Sequence, residues 1–215
     1  LHADTGLVGT VAGGAATCPP HAPSTGDLAT EVCFDDQFFA ATHAPDGRIV
    51  FGVQSYVYRI EADGKLTLLM GNGNYSATGD GGPALDATLR YPTGIAIDAD
   101  HNIFIADTYT HAIRKITAAT GNVATVVGTA DDSGSDGDGG AADAAKLTEP
   151  GEVSFDAAGN LYVVDSGNHV LRKVDAATGV ISRIGGSFTR GYAGDGAAAT
   201  GAQLNWPAGM LWWWD

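Results

Sequence analysis

Internal repetition is the feature of this chain that most restricts its fold. The string Gly-Asp-Gly-Gly occurs at residues 79–82 and 137–140, and a variant, Gly-Asp-Gly-Ala, occurs at 194–197, so the spacings are 58 and 57 residues. Each copy is followed by an Ala-x-Leu-x-x-Pro motif, whose proline lies 13 residues after the first glycine of the copy. A fixed period of this length indicates stacked copies of one supersecondary unit.

Each repeat contains four short segments of β-type sequence. In one copy these are residues 94–98, 103–106, 112–116 and 123–127, which are rich in β-branched residues and are separated by Gly, Asn and Asp. No stretch shows ten residues of helical periodicity, although the Ala-rich tails of the Gly-Asp-Gly-Gly loops allow one helical turn. Four antiparallel strands per repeat predict an all-β fold, a β-propeller whose four-stranded blades bury their faces against their neighbours.

The second half of the repeat carries its most specific motif. Residues 102–116 and 160–174 share Asp-[Ser/Thr]-x-x-His-x-[Ile/Leu]-Arg-Lys, in phase with the Gly-Asp-Gly-Gly and Ala-x-Leu-x-x-Pro motifs. Over roughly residues 5–210, the chain resembles the NHL family of β-propeller repeats, in the long bacterial form whose loops are similar to those of teneurin-type propellers. The resemblance implies an interaction platform, although some related propellers resemble lactonases or amidating lyases with a metal in the central channel.

The whole chain, residues 1–215, is expected to belong to one propeller. Its predicted parts are the last strand of a preceding blade at 6–12, full blades at 38–70, 93–127 and 151–184, and the start of another blade at 207–214. Closed propellers have four to eight blades, so we expect an incomplete part of a longer propeller of about six blades. A symmetric pair of three-bladed chains and a small four-bladed ring are the alternatives.

Three polar positions of the repeat recur in two blades. They are Asp107, His111 and Arg114 in one blade, and Asp165, His169 and Arg172 in the next. A functional interpretation makes them acid, base and clamp, whereas a structural one makes the Asp an acceptor for turn amides and the ion-pair partner of the Arg. In the first blade Val53 replaces the Asp, Tyr58 replaces the Arg, and the His is absent from a shorter turn. Because these groups disappear together, we predict structural roles.

The Gly-Asp-Gly-Gly loops recur in every repeat, which favours an architectural role. Their aspartates, Asp80, Asp138 and Asp195, are expected to accept hydrogen bonds from backbone amides, while the glycines take positive φ angles. A phosphate-binding interpretation is weak because no Lys follows the glycines.

One of these loops is unusually acidic. Its Asp132, Asp136 and Asp138 form a candidate Ca²⁺ site, because Ca²⁺ takes six to eight oxygen ligands. The spacing is not that of an EF-hand, and a solvated acidic loop is the alternative. Calcium is the only cofactor that the sequence indicates.

Cys18 and Cys33 bracket an insertion in the first inter-blade loop. A disulfide between them would close a loop of about 15 residues and contribute roughly 3 kcal/mol. Two buried free thiols are the alternative. The pair favours an oxidising, extracytoplasmic location, either secreted or at the cell surface.

The net charge and the positions of the loops indicate which classes of partner this chain can bind. With 11 Lys and Arg against 25 Asp and Glu, the net charge is −14, which argues against nucleic-acid binding because that needs basic residues. No run of 18 apolar residues is present, so membrane insertion is not expected. In a propeller, the turn between the second and third strands and the links between blades emerge on one face. Such a face suits a non-enzymatic module that binds a protein or a glycan, preferably a basic or cation-bridged partner.

Two other functions stay open. A metal-dependent hydrolase or lyase would need a central-channel site from blades outside this chain, because Glu152 is a single acid at a position where the sister blade has Gly94. A structural protein of a surface layer or fibre would self-associate through its terminal strands, whose unpaired edges recruit further strands.

Overall fold

The computed structural model describes residues 10–13, 23–34 and 38–210. Within these ranges the chain forms three four-stranded antiparallel sheets, each with its strands in chain order. The first sheet contains β1 Phe38–His43, β2 Ile49–Val53, β3 Tyr56–Ile60 and β4 Leu66–Met70. The second contains β5 Pro92–Ile97, β6 Ile103–Asp107, β7 Ala112–Ile116 and β8 Val123–Val127. The third contains β9 Pro150–Phe155, β10 Leu161–Asp165, β11 Val170–Val174 and β12 Ile181–Gly185. The predicted all-β propeller architecture is confirmed.

The helical segments are single 3₁₀ turns. Three lie in the tails of the Gly-Asp-Gly-Gly loops, at Ala84–Asp86, Ala142–Ala144 and Ala199–Gly201, and two lie between the second and third strands of a blade, at Thr108–Thr110 and Ser166–Asn168. In the part of the chain that the structure describes, no helix has the length and apolar character needed to cross a membrane.

The second strand of each sheet is more buried than the fourth. All five residues of β6 are buried, and so are all five of β10. In the outer strand β8 only the first and last residues are buried. This difference is expected where the second strand is covered by neighbouring blades and the outer strand faces solvent.

The tails of the first two Gly-Asp-Gly-Gly loops, which we call wedges, each pack between two neighbouring sheets. Ala84, Ala87 and Leu89 pack with residues of the first and second sheets, and each is at most 2% exposed. The preceding glycine, Gly79, has φ +100°, and a Cβ there would lie 2.6 Å from the Cα of Ala87. The repeated Gly-Asp-Gly-Gly and Ala-x-Leu motifs therefore contact each other closely through their backbones, which requires glycine at the first position.

The same wedge recurs between the second and third sheets, where Ala142, Ala145 and Leu147 are buried. Each loop also pairs with the next outer hairpin through an isolated bridge, Pro83 with Asn122 and Ala141 with Val180. The wedges thus attach each blade to the one that follows it.

The predicted terminal strands lie at the limits of the described residues. Residues 10–12 and 207–210 lie outside any strand. The rest of the segments 6–12 and 207–214 lies outside the described residues. The described residues form three complete sheets, fewer than the four to eight blades of a closed propeller, which fits the expected incomplete propeller.

Candidate interaction face

One end of the sheets collects the inter-blade loops and the turns between second and third strands, and we call it the loop face. Its segments are the loops at 71–91, 128–149 and 186–206 and the turns at 108–111 and 166–169. Hydrogen bonds join them: the Tyr109 amide donates to the Arg90 carbonyl at 3.1 Å, and the Asp131 amide donates to the Thr110 carbonyl at 2.8 Å. The loops and turns therefore form one connected surface.

A histidine at the end of each of these two turns connects the turn to the next blade. His111 and His169 have φ angles of 60°. The Nδ1 atom of His111 accepts a hydrogen bond from the Glu149 amide at 3.1 Å, and Nδ1 of His169 accepts one from the Trp206 amide at 3.3 Å. Glu149 and Trp206 each precede the proline that begins the next first-strand segment. Each imidazole thus holds a loop at the point where it enters the next blade.

Replacing His111 by Ala is expected to lower the free energy of unfolding by about 1–2 kcal/mol, because a half-buried amide loses its acceptor. His111→Asn is expected to lose less, since Asn tolerates the left-handed backbone and carries an acceptor oxygen. Urea denaturation of both variants measures the difference. Equal losses for Ala and Asn would contradict this role of the imidazole.

A fully buried arginine lies beneath the loop face in the second blade. Its Nη2 donates to Asp80 Oδ1 at 2.6 Å and to the Thr78 carbonyl at 3.2 Å. Asp107 Oδ2 lies further away, 3.7 Å from Nη1 of the same residue, Arg114. The closest carboxylate is therefore that of the preceding Gly-Asp-Gly-Gly loop, and not that of the neighbouring strand. Asp80 Oδ2 also accepts a hydrogen bond from the Thr125 amide at 3.0 Å.

The third blade repeats this arrangement with Arg172. Its guanidinium donates to the Lys146 carbonyl at 2.7 Å and to the Ser135 carbonyl at 2.5 Å. The carboxylates of Asp138 and Asp165 lie 3.4 and 3.8 Å from its Nε. The arginine thus joins a blade to the loop before it. The third loop aspartate, Asp195, is exposed in the loop after the third blade.

Burial also affects the two strand-end carboxyls. It raises the pKa of Asp107 and that of Asp165 from the usual 3.8 to about 6 in each case, although hydrogen bonds and the nearby arginines lower them in part. The Arg90 amide donates to Asp107 Oδ1 at 2.6 Å, and the Thr148 amide donates to Asp165 Oδ1 at 2.8 Å. Both carboxyls therefore hold a strand end to the adjacent loop.

We expect two Asp carboxyl-carbon resonances to titrate in NMR with midpoints near pH 6. The folded chain then binds these protons more tightly than the unfolded chain does. The stability that they contribute is present below pH 3.8 and is lost as the pH rises through about 6. Asp107→Asn and Asp165→Asn assign the resonances. Absence of any Asp midpoint above pH 5 would refute the prediction.

Exposed aromatic side chains occupy the loop face. Tyr75, Tyr91 and Tyr109 form a cluster, which we call the tyrosine cluster, with ring centroids 5.9 Å apart for the first pair and 5.2 Å for the second. Tyr75 is 51% exposed and Tyr109 is 46% exposed. Further along the face, Trp206 packs edge-on against His169 with centroids 5.4 Å apart, and it is 47% exposed.

The repeated motifs do not include this cluster. A signal was present, because the residue before the repeated proline is Tyr91 in one loop, Glu149 in the next and Trp206 in the third. A position that changes its chemistry between otherwise similar repeats belongs to a variable surface.

Two of the candidate calcium ligands form ion pairs with basic side chains. Asp132 pairs with the Lys146 ammonium at 2.8 Å, and Asp138 lies 3.4 Å from Arg172. Asp136 accepts the Lys146 amide through its backbone carbonyl at 3.0 Å. Among the described residues, no three His, Cys, Asp or Glu side chains are arranged to hold a metal ion. The calcium site stays a prediction.

The last two sites predicted from the sequence are the cysteine pair, Cys18 and Cys33, and the acid Glu152. Cys18 lies outside the described residues, so its disulfide with Cys33 stays a prediction. Glu152 lies on the inner strand β9, where its Oε1 accepts a hydrogen bond from the Val153 amide at 3.1 Å and burial raises its pKa.

Comparisons with known proteins identify the repeat. The family model of the teneurin NHL domain matches residues 71–135. NHL repeat-containing protein 2 of Gallus gallus is 32% identical over 114 residues, which cover 52% of this chain and 15% of that protein. Teneurin-1 of Gallus gallus is 29% identical over 188 residues, which cover 80% of this chain and 7% of that protein. This chain therefore spans a small part of the length of these relatives.

A solved structure shows the same fold at low identity. The auxiliary nutrient binding protein from Bacteroides thetaiotaomicron matches 80% of this chain and 42% of its own chain, with a TM-score of 0.58 and 18% sequence identity. The likeness concerns the fold alone. With its repeated motifs, its described four-stranded blades and its matches to NHL proteins, this chain is similar to the NHL-repeat β-propellers.

Proposed function

We propose that this chain is part of a non-enzymatic interaction module that binds a partner protein through its loop face. The observation that carries the proposal is the exposed tyrosine cluster of Tyr75, Tyr91 and Tyr109 on that face. Tyr and Trp are enriched at binding surfaces because they bring large contact areas at low entropic cost. A propeller fold is consistent with such a role.

The loop face is preorganised in the unbound chain. The buried guanidiniums of Arg114 and Arg172 join loops to strands, and His111 and His169 fix the points where loops enter the next blade. A preorganised surface loses little conformational entropy on binding. The exposed aromatic rings are therefore presented by a rigid scaffold.

Charge indicates the chemistry of the partner. The chain has a net charge of −14, and Asp131 and Asp132 lie on the loop face, 55% and 49% exposed at their side chains. Their ion pairs with Arg90 and Lys146 lie at the surface, where such pairs contribute little and exchange readily. A basic partner segment would meet both carboxylates and aromatic rings, which attract cations.

We place this module outside the cytoplasm. The two cysteines that bracket the first inter-blade loop support this location, and so does the similarity to a teneurin. The fold neighbour from Bacteroides thetaiotaomicron is named as a nutrient-binding protein, which is in line with a binding role.

The test compares the wild-type chain with a Tyr75→Ala, Tyr109→Ala double variant. Both are screened against a displayed random-peptide library and a glycan array. We expect the wild type to select Lys- or Arg-containing peptides, and the double variant to bind them at least tenfold more weakly, because it lacks two aromatic contacts.

Leu85→Ala is the matched control, because Leu85 is 51% exposed and belongs to the same loop, but it lies in the 3₁₀ turn that lines a groove between the first and second sheets and is not part of the tyrosine cluster. It should bind selected peptides as the wild type does, and circular dichroism should show all variants folded. Selection of glycans without peptides would replace the protein partner by a glycan. Equal peptide binding by wild type and double variant would refute the proposed face.

A further inference from the structure

A groove of about 520 Å³ opens between the second and third sheets, at the end opposite the loop face. Its apolar lining includes Phe104, Leu161, Phe155 and Val174. Phe104 and Leu161 are buried, and the rings of Phe104 and Phe155 meet edge to face with centroids 4.8 Å apart. The volume is within the range of small-molecule sites, about 300–1,000 Å³.

The mouth of this groove is acidic. Four aspartates line it, Asp98, Asp100, Asp156 and Asp175, and the described lining residues include no Lys, Arg or His. Hydrogen bonds from Thr178 lower the pKa of Asp175. Burial raises the pKa of Asp156, but hydrogen bonds, among them those from Asn160, outweigh it and lower the pKa overall. The mouth therefore stays negative at neutral pH.

A second groove provides an internal comparison. It lies between the first and second sheets, has a volume of about 440 Å³, and is lined by Arg59, His101 and apolar residues, with no carboxylate among the described lining residues. Grooves of this size thus arise from the way neighbouring blades splay apart. The acidic mouth, in contrast, is a property of the groove between the second and third sheets.

We propose that the acidic groove binds a small amphipathic cation, an ammonium or guanidinium group carried on an apolar ring. The charge would lie at the mouth beside the carboxylates, and the ring would pack on Phe155 and the apolar walls. The Lys115 ammonium already lies 5.3 Å from the centroid of the Phe104 ring. That ammonium would repel a second cation at the ring, so the charge of the ligand is expected beside the carboxylates at the mouth.

This site is separate from the loop face, so its test is independent of the proposed function. The probe is tryptamine, with the neutral isostere indole-3-ethanol as the matched ligand, and binding to the full chain is followed by NMR chemical shifts and calorimetry. We expect tryptamine to bind at least tenfold more tightly than the alcohol, with shifts centred on Phe104, Phe155 and Val174. Raising the salt concentration is expected to weaken tryptamine only.

Two substitutions at exposed positions probe the mouth. Asp100→Asn removes one charge and should weaken tryptamine binding severalfold. Ala157→Lys places an ammonium at the mouth and should weaken it more than tenfold. Ala118→Lys makes the same change at an exposed residue of the second groove and should leave binding unchanged.

Several results would overturn the proposal. They are equal binding of tryptamine and the alcohol, equal effects of Ala157→Lys and Ala118→Lys, or shifts confined to the loop face. Binding of a basic peptide without any binding of tryptamine would also overturn it, because the occupant would then be a segment of a protein.

Discussion

Replacing Arg172 by alanine is expected to lower the free energy of unfolding by about 3–5 kcal/mol, the usual loss when one partner of a buried ion pair is removed. For a chain of this size, that corresponds to a fall in melting temperature of roughly 10 °C. The side chain is 0% exposed and donates to the carbonyls of Ser135 and Lys146. Its removal leaves these carbonyls without a donor and leaves the buried carboxyl of Asp165 without its nearest cation.

Lys173→Ala is the control, because Lys173 is the next residue of β11 and is only half-buried. Its ammonium lies 5.9 Å from the centroid of the Tyr162 ring, so its loss should cost less than about 1 kcal/mol. Urea denaturation at neutral pH measures both variants. Equal losses for the two variants would show that the buried arginine does not stabilise the blade.

The first blade offers a second test of the same cluster. There Tyr58 takes the place of the arginine, and its hydroxyl donates to the Pro23 carbonyl at 2.9 Å, while Val53 takes the place of the aspartate. An Asp165→Val, Arg172→Tyr double variant copies this pair into the third blade. We expect its loss of stability to be smaller than the sum of the two single losses, because neither variant residue leaves a buried charge.

Local features of the fold were predictable from the sequence. The period of 57 to 58 residues and the β-branched segments predict the three sheets, and the Ala-rich tails predict the 3₁₀ turns at Ala84–Asp86 and Ala142–Ala144. These features depend on residues close together in the chain. Strand propensity and glycine-rich turns act over that distance.

The nearest partner of the buried arginine was not predictable in the same way. The motif places Asp107 seven residues before Arg114, yet the closer carboxylate is Asp80, 34 residues earlier in the chain. Which of the two approaches more closely depends on the path of the inter-blade loop. That path depends on where Ala87 and Leu89 are buried, and the repeat marks these residues without revealing the surfaces against which they pack.

The tyrosine cluster and the acidic groove could not be predicted from the sequence either. Tyr75, Tyr91 and Tyr109 occupy positions that the repeats do not share, and they meet only because a loop returns toward its neighbouring turn. The acidic groove likewise combines turns from two different sheets. Both depend on how one blade is placed beside the next.

Gly94→Ala is expected to lower the free energy of unfolding by about 3 kcal/mol, toward the upper end of losses from overpacking. A Cβ at Gly94 would lie 2.7 Å from the Cα of Glu152 and 2.7 Å from the Gly151 carbonyl oxygen. These are backbone atoms of β9, so they cannot move aside without separating the second and third sheets. Thermal unfolding followed by circular dichroism measures the loss.

The equivalent positions in the other copies of the repeat show that this prediction applies only to the contact between β5 and β9. By strand register, the same position is Ala40 in the first blade and Glu152 in the third, so side chains are accepted there. The matched control is Gly209→Ala, because Gly209 follows the repeated proline at the same spacing and a Cβ there would meet nothing within 4 Å. A harmless Gly94→Ala would mean that β5 and β9 lie further apart than described. A large loss at position 94 alone would show that these inner strands meet backbone to backbone, which sets the spacing of the two blades around the axis.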